Sequence, residues 1–293
     1  MIGFEQRLYL MEITRRVPTK WTLQEIIDIL ARYRYTTFVL YSEREIGEDE
    51  IDFGRLSAYC QMQDVELMRL DRSGYDALLL AGDAVCVSTE ASRSLSGRVE
   101  EMRERMIAAE AQGRVRRAKR FIVTDFSDGC DWQPLAASLP GIVMGGNFAL
   151  SGGKSSKMDL ERELDAVMDA PLGGLLLKLG TLYLRGGALR AEASEYFNIL
   201  AGDVGYSRHP GLTQIVLDEV SGIANGIRIA AERWTERSNW AKEIVYMANL
   251  LDCACHRRDE TRLRAVRDEH GRIWRLRYNP EGRVDSLSKL PRF

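Results

Sequence analysis

Long apolar runs are missing from this 293-residue chain: nothing approaches the roughly eighteen consecutive apolar residues of a membrane-spanning helix. The opening Met1-Ile2-Gly3-Phe4-Glu5 has neither a basic start nor an apolar core, so no signal peptide is expected and a cytoplasmic location is. An excess of charge is missing too. Lys and Arg total 41 against 43 Asp and Glu, a net charge of −2 that gives no reason to expect nucleic acid or membrane as a partner. Histidine is scarce, and His209, His256 and His270 lack paired ligands. The five cysteines, Cys60, Cys86, Cys130, Cys253 and Cys255, are odd in number and lie mostly in apolar contexts, which speaks against a disulfide framework. Cys253 and Cys255 also lack the ligand spacing of a zinc site, so reduced thiols and no metal or cofactor are expected. The doublets Gly145-Gly146 and Gly152-Gly153 lack the glycine spacing of a phosphate loop. No internal repeat or low-complexity segment is present.

What is there is ordinary globular composition, 45% hydrophobic and 29% charged, enough for one large domain or one domain with an appendage. Residues 7–13, 37–41, 65–70, 84–87 and 121–124 are short apolar or β-branched runs that read as strands. Between them, Trp21 to Tyr33 repeats apolar residues at a helical period with Thr22 as its expected cap, and Phe53 to Gln63 and Gly97 to Gly113 also read as helices. Nearly all-apolar strands alternating with helices predict a parallel sheet covered on both faces. After Gly153 the pattern becomes helical, over 158–168, 172–184, 188–201, 212–237 and 239–267, with 272–293 irregular. The expected organisation is therefore a β/α domain over 1–153 and a helical domain over 154–293.

The segment Thr124-Asp125-Phe126-Ser127-Asp128-Gly129-Cys130-Asp131-Trp132-Gln133-Pro134 follows the last strand. At the C-terminal end of a parallel strand this is where binding loops sit. Two carboxylates beside an indole suit a sugar, whose hydroxyls donate to the acids and whose apolar face covers the ring. The same spacing also fits a polar turn whose Asp residues cap the next helix.

That segment resembles the Thr-Asp-Trp-Gly-Asp-Gly-Gly-His-Trp-Gln-Pro signature of family-20 glycoside hydrolases, the β-N-acetylhexosaminidases, in their compact bacterial branch. Seven of eleven positions match, with departures at Phe126, Ser127, Cys130 and Asp131. Leu10 to Arg15 is similar to the family's first strand and its sugar-binding Arg, and Leu40-Tyr41-Ser42-Glu43 to its Leu-Tyr-Thr-Glu. Ser94 to Arg98 looks like the segment after the seventh strand, and Trp274 to Leu287 like the closing Trp-x-x-Arg-Asn stretch. The resemblance implies a truncated or incomplete (β/α) TIM-type barrel that keeps strands one to three and seven to eight, followed by an α-helical C-terminal part. The gap falls between Leu70 and Ala84. It further implies a substrate-binding set of Arg15, Glu43, Asp125, Asp128 and Trp132, with Glu12 supporting Arg15.

The family's catalytic Asp-Glu pair would sit on strand four, which this chain omits. Asp49-Glu50, Asp218-Glu219, Asp259-Glu260 and Asp268-Glu269 all lie in loop or helix contexts. The residue aligned with the family's stacking aromatic is Ser92, and that aligned with its third-strand His is Tyr75. Loss of a general acid alone removes roughly 10² to 10⁴ in rate, so hydrolysis is not expected. The expected function is carbohydrate binding or regulation by a β-N-acetylhexosaminidase-like protein with no catalytic residues. An active glycosidase with a rebuilt site and a protein-assembly module remain the alternatives. The expected partners are an N-acetylhexosamine-type sugar and a second copy of the chain. An incomplete barrel exposes strand edges and apolar interior. The helices after Lys157, with a second copy, are expected to cover them, unless residues 65–70 pair with 84–87 in a smaller closed barrel.

Overall fold

Strands β1 (Gln6–Glu12), β2 (Thr37–Tyr41), β3 (Glu66–Leu70), β4 (Ala84–Ser88) and β5 (Arg120–Asp125) form where the apolar runs predict them, within two residues at each end. The computed structural model describes residues 3–126, 132–151, 159–186, 194–201, 211–256 and 259–290. Among these the strands make one sheet in the order β3-β2-β1-β5-β4, every pair parallel. At its centre Leu10 faces Val39 of β2 on one side and Thr124 of β5 on the other. Consecutive strands are neighbours except β3 and β4, which form the two outer edges. Direct pairing of residues 65–70 with 84–87 in a smaller closed barrel is thereby ruled out.

Helices α1 (Lys20–Arg32), α2 (Phe53–Met62), α3 (Arg72–Leu80), α4 (Val99–Arg116) and α5 (Leu135–Ser151) accompany the strands. Thr19, not Thr22, caps α1: its Oγ1 accepts from the Thr22 N–H at 3.3 Å. Asp52 caps α2 and Asp71 caps α3 in the same way, accepting at 2.9 Å and 2.8 Å from the residue three further on. Then follow α6 (Leu160–Met168), α7 (Gly173–Leu179), α8 (Glu195–Ala201), α9 (Gln214–Glu232), α10 (Asn239–Cys255), α11 (Glu260–Arg277) and α12 (Arg283–Lys289). The expected helix over 239–267 is two, because Asp259 starts a new one by accepting from the Arg262 N–H. The expected irregular stretch is not irregular: α11 runs on to Arg277, and α12 starts after Gly282. Gly282 has φ +80°, and a Cβ there would run into the Arg15 carbonyl oxygen. No single described helix is long and apolar enough to cross a membrane.

Side-chain alternation splits the sheet into two unlike faces. Tyr9, Met11, Phe38, Leu40, Val85, Val87, Phe121 and Val123 enter one apolar cluster with side chains from α1, α2, α4, α5 and the C-terminal helices as far as Leu290. That cluster has members on both sides of 153/154. Leu8, Leu10, Val39, Tyr41 and Ile122 face the other way, into a small cluster with Leu78, Met68, Leu70, Tyr75, Ala84 and Phe126. Each such side chain, fully buried, gains about 1.5–3 kcal/mol over exposure, so this face must be covered. Of the described helices only α3 contributes to that cover, through Tyr75 and Leu78. The C-terminal helices, expected to close the opening, pack on the opposite face.

Candidate functional site

The covered but shallow second face ends in a cleft at the C-terminal ends of the strands. Glu12 ends β1, with Thr14 and Arg15 just beyond; Tyr41 ends β2, with Glu43 following; Phe126 follows β5. Arg72 and Tyr75 come from the first turn of α3, placed by the Asp71 cap. These eight residues line a volume of about 600 Å³. A neighbouring cavity of about 590 Å³ shares Glu43 and is lined further by Ser42, Arg44, Phe53, Arg69 and Asp71.

The floor is aromatic. Tyr41, Tyr75 and Phe126 pack with ring centroids 5.0 to 5.8 Å apart in tilted or edge-on pairs, geometry that ring quadrupoles favour. Tyr41 is buried whereas Tyr75 and Phe126 keep part of their surface open. Burial raises the hydroxyl pKa of both tyrosines, so both stay protonated donors at neutral pH.

The walls are ionic. Glu43 accepts from the Tyr41 hydroxyl at 3.1 Å and lies 3.6 Å from Arg72, which also reaches Asp76 at 3.4 Å. The Glu43 N–H donates to Thr14 Oγ1 at 3.1 Å, tying the ends of β1 and β2 together. The Arg15 guanidinium is half exposed; its carboxylate neighbour is Asp285 of α12 at 4.0 Å rather than Glu12 or Glu43. Two carboxylates and two guanidiniums thus surround an apolar floor, a set that can accept from and donate to several hydroxyls at once.

The structure brings Arg15 and Glu43 together in this cleft and separates Asp125 and Trp132 from it. Asp125 sits one residue before Phe126 and so points to the opposite face, under the helices. It is 2% exposed, and its carboxylate accepts from Tyr9 Oη at 2.8 Å, Ser138 Oγ at 3.0 Å and Thr89 Oγ1 at 3.2 Å. Burial first, then the Asp125 charge, drives the Tyr9 hydroxyl pKa well up. Trp132 is likewise buried, tilted against Phe197 at 5.1 Å in the core rather than open to a ligand. Asp128 lies outside the described residues, as do Cys130 and His209.

None of the four Asp-Glu pairs lines the cleft. Glu50 is held by Arg44, whose hydrogen bonds pull its pKa below the usual carboxylate range. Glu219 pairs with Arg185 at 3.0 Å, Asp259 is a helix cap, and Glu269 accepts from Asn249 at 2.7 Å. A Ser-His pair does occur, His270 Nε2 to Ser286 Oγ at 2.9 Å with the Tyr246 hydroxyl on Nδ1 at 2.7 Å. All three are buried in the helical core and line neither cavity. Among the described residues no group of three or more His, Cys, Asp or Glu side chains is arranged to hold a metal ion.

Arg72, Tyr75 and Phe126 are cleft residues that the sequence reading did not select. Two signals point to them: the Asp71-x-x-Gly74 cap, and the period-2 alternation that carries Phe126, not Asp125, to the face of Tyr41. A scan against protein-family models and a search of curated proteins found no match for this chain.

Proposed function

We propose that this protein binds an N-acetylhexosamine-type sugar in the strand-end cleft and does not hydrolyse it. The observation that carries the reading is the convergence of Arg15, Glu43, Glu12 and Arg72 over the half-open rings of Tyr75 and Phe126. Carboxylates and guanidiniums supply hydroxyl partners, and the rings supply an apolar platform, which is the combination a pyranose needs. The strand order supports reading the sheet as an arc of a β/α barrel opened between β3 and β4, since the last strand lies beside the first. The segments around Arg15 and Glu43 that resemble β-N-acetylhexosaminidases support the choice of sugar. The absence of an Asp-Glu pair from the cleft supports binding without turnover.

The test combines calorimetric titration with free N-acetylglucosamine and N-acetylgalactosamine and an assay on their aryl β-glycosides. Saturable binding without hydrolysis is the expected result. Hydrolysis well above the uncatalysed rate would favour an active glycosidase with a rebuilt site. Neither binding nor hydrolysis would favour the assembly module.

A further inference from the structure

The two outer strands are guarded very differently. β3 carries Glu66 and Arg69, both exposed, and charges on an edge strand discourage pairing with another chain. β4 reads Ala84-Val85-Cys86-Val87-Ser88, with no charge and no proline. Its inner side is committed to β5: the Asp83 carbonyl accepts from the Lys119 and Arg120 N–H groups, and the Thr89 N–H donates to the Thr124 carbonyl. Alternation then turns the N–H and C=O groups of Ala84, Cys86 and Ser88 outward. Among the described residues no strand pairs with that outer side, and Cys86 is exposed.

We propose that the outer edge of β4 is a self-association surface, on which β4 of a second copy docks antiparallel about a two-fold axis at Cys86. The strand is close to self-complementary about that residue. A two-fold there sets Cys86 opposite Cys86 of the second copy, Val85 opposite Val87, and Ala84 opposite Ser88. Cys86 has its backbone groups turned outward, so the central pair exchanges both hydrogen bonds, with Cα atoms about 5.5 Å apart. The Val85–Val87 pairs lie on the helix-covered face, where both side chains are already core, and extend it across the axis. A five-residue strand alone is too small for a stable interface, which takes about 800 Å² from each partner. The helices packed on the two faces of β4 have apolar surface to add: Leu79 and Leu80 of α3 are 39% and 83% exposed, and Ile107 of α4 is 48% exposed. Joining the β4 edges gives an isologous dimer with one ten-stranded sheet and leaves the charged β3 edges outermost. This surface is independent of the sugar cleft, so the dimer and the sugar reading stand or fall separately.

Sedimentation of the full chain at micromolar concentration, with and without changes on each edge, tests this. The wild type is expected at twice the chain mass. Cys86→Lys places like charges opposite each other and should raise the dissociation constant by roughly tenfold or more, whereas Glu66→Lys on the β3 edge should leave it unchanged. A short bismaleimide should join two copies of the wild type and not of Cys86→Ser, a change mild enough to keep the fold even if the lysine variant does not. A monomeric wild type would overturn the proposal. So would a folded Cys86→Lys dimer, or cross-linking that survives Cys86→Ser.

Discussion

The two faces of the sheet carry polar groups of the same kinds and treat them in opposite ways. Under the helices, Asp125 is saturated by three hydroxyls, and Glu243, fully buried, accepts from the Ala136 N–H at 2.7 Å and from Arg277. Arg277 is also bound by Glu25 and lies 4.3 Å from the Trp240 ring centroid. On the cleft side, Glu43 and Arg15 keep about half of their side-chain surface in solvent. Polar groups beneath the helices are buried and paired within the fold, whereas Arg15 and Glu43 in the cleft keep the solvent exposure that the proposed sugar binding requires.

The sharpest way to break that division is to change one arginine on each side. Arg277→Met leaves Glu243 as an uncompensated buried charge and should cost about 3–5 kcal/mol in urea unfolding. Arg15→Met, at a half-exposed pair, should stay within about 0.5 kcal/mol. Similar losses at both positions would erase the distinction.

Acid sharpens the comparison, because His270 lies on the helical side. Burial first, with Arg267 adding to it, holds the imidazole down at about 4. The unfolded chain takes up a proton near 6.5 while the folded protein resists it. This group's stability is therefore complete above about pH 6.5 and lost as pH falls toward 4, roughly 2 kcal/mol of it by pH 5. Urea unfolding at pH 7 and pH 5 should show that loss in the wild type and a smaller one in His270→Gln. Equal losses would contradict the assignment.

Two carboxylates give the next contrast. Asp125→Ala leaves the Tyr9, Thr89 and Ser138 hydroxyls short of an acceptor and should cost about 1–3 kcal/mol of stability. Glu43→Gln should leave the melting temperature nearly unchanged. The smallest effect belongs to the floor: Phe126→Ala should weaken sugar binding by about 0.5–1.5 kcal/mol, the range of an aromatic contact beyond its buried area. An unchanged affinity would remove Phe126 from the site.

The strands were legible because short, nearly all-apolar runs such as Thr37 to Tyr41 and Phe121 to Val123 suit strands buried on both faces. The helix between Leu70 and Ala84 was not, because Arg72-Ser73-Gly74-Tyr75 shows little helical periodicity and depends on the Asp71 cap. At the site, two residues of the motif that stood out in sequence, Asp125 and Trp132, turned to the core, and for Asp125 a single residue of strand alternation decides the face. Arg15 and Glu43 were legible as strand-end polar residues. Their partners Arg72 and Tyr75 were hidden by the unrecognised helix. The break at Asp259 was hidden by apolar periodicity that continues through it.

If ligand chemistry belongs to the cleft and not to the buried network, sugar titration of the wild type and two variants will separate them. Calorimetry of N-acetylglucosamine against the wild type, Glu43→Gln and Asp125→Asn should show the Glu43 change costing about 1.5–3 kcal/mol, roughly ten- to hundredfold in affinity. Asp125→Asn should bind like the wild type while unfolding more easily. Binding lost in Asp125→Asn but retained in Glu43→Gln would place the sugar site under the helices instead.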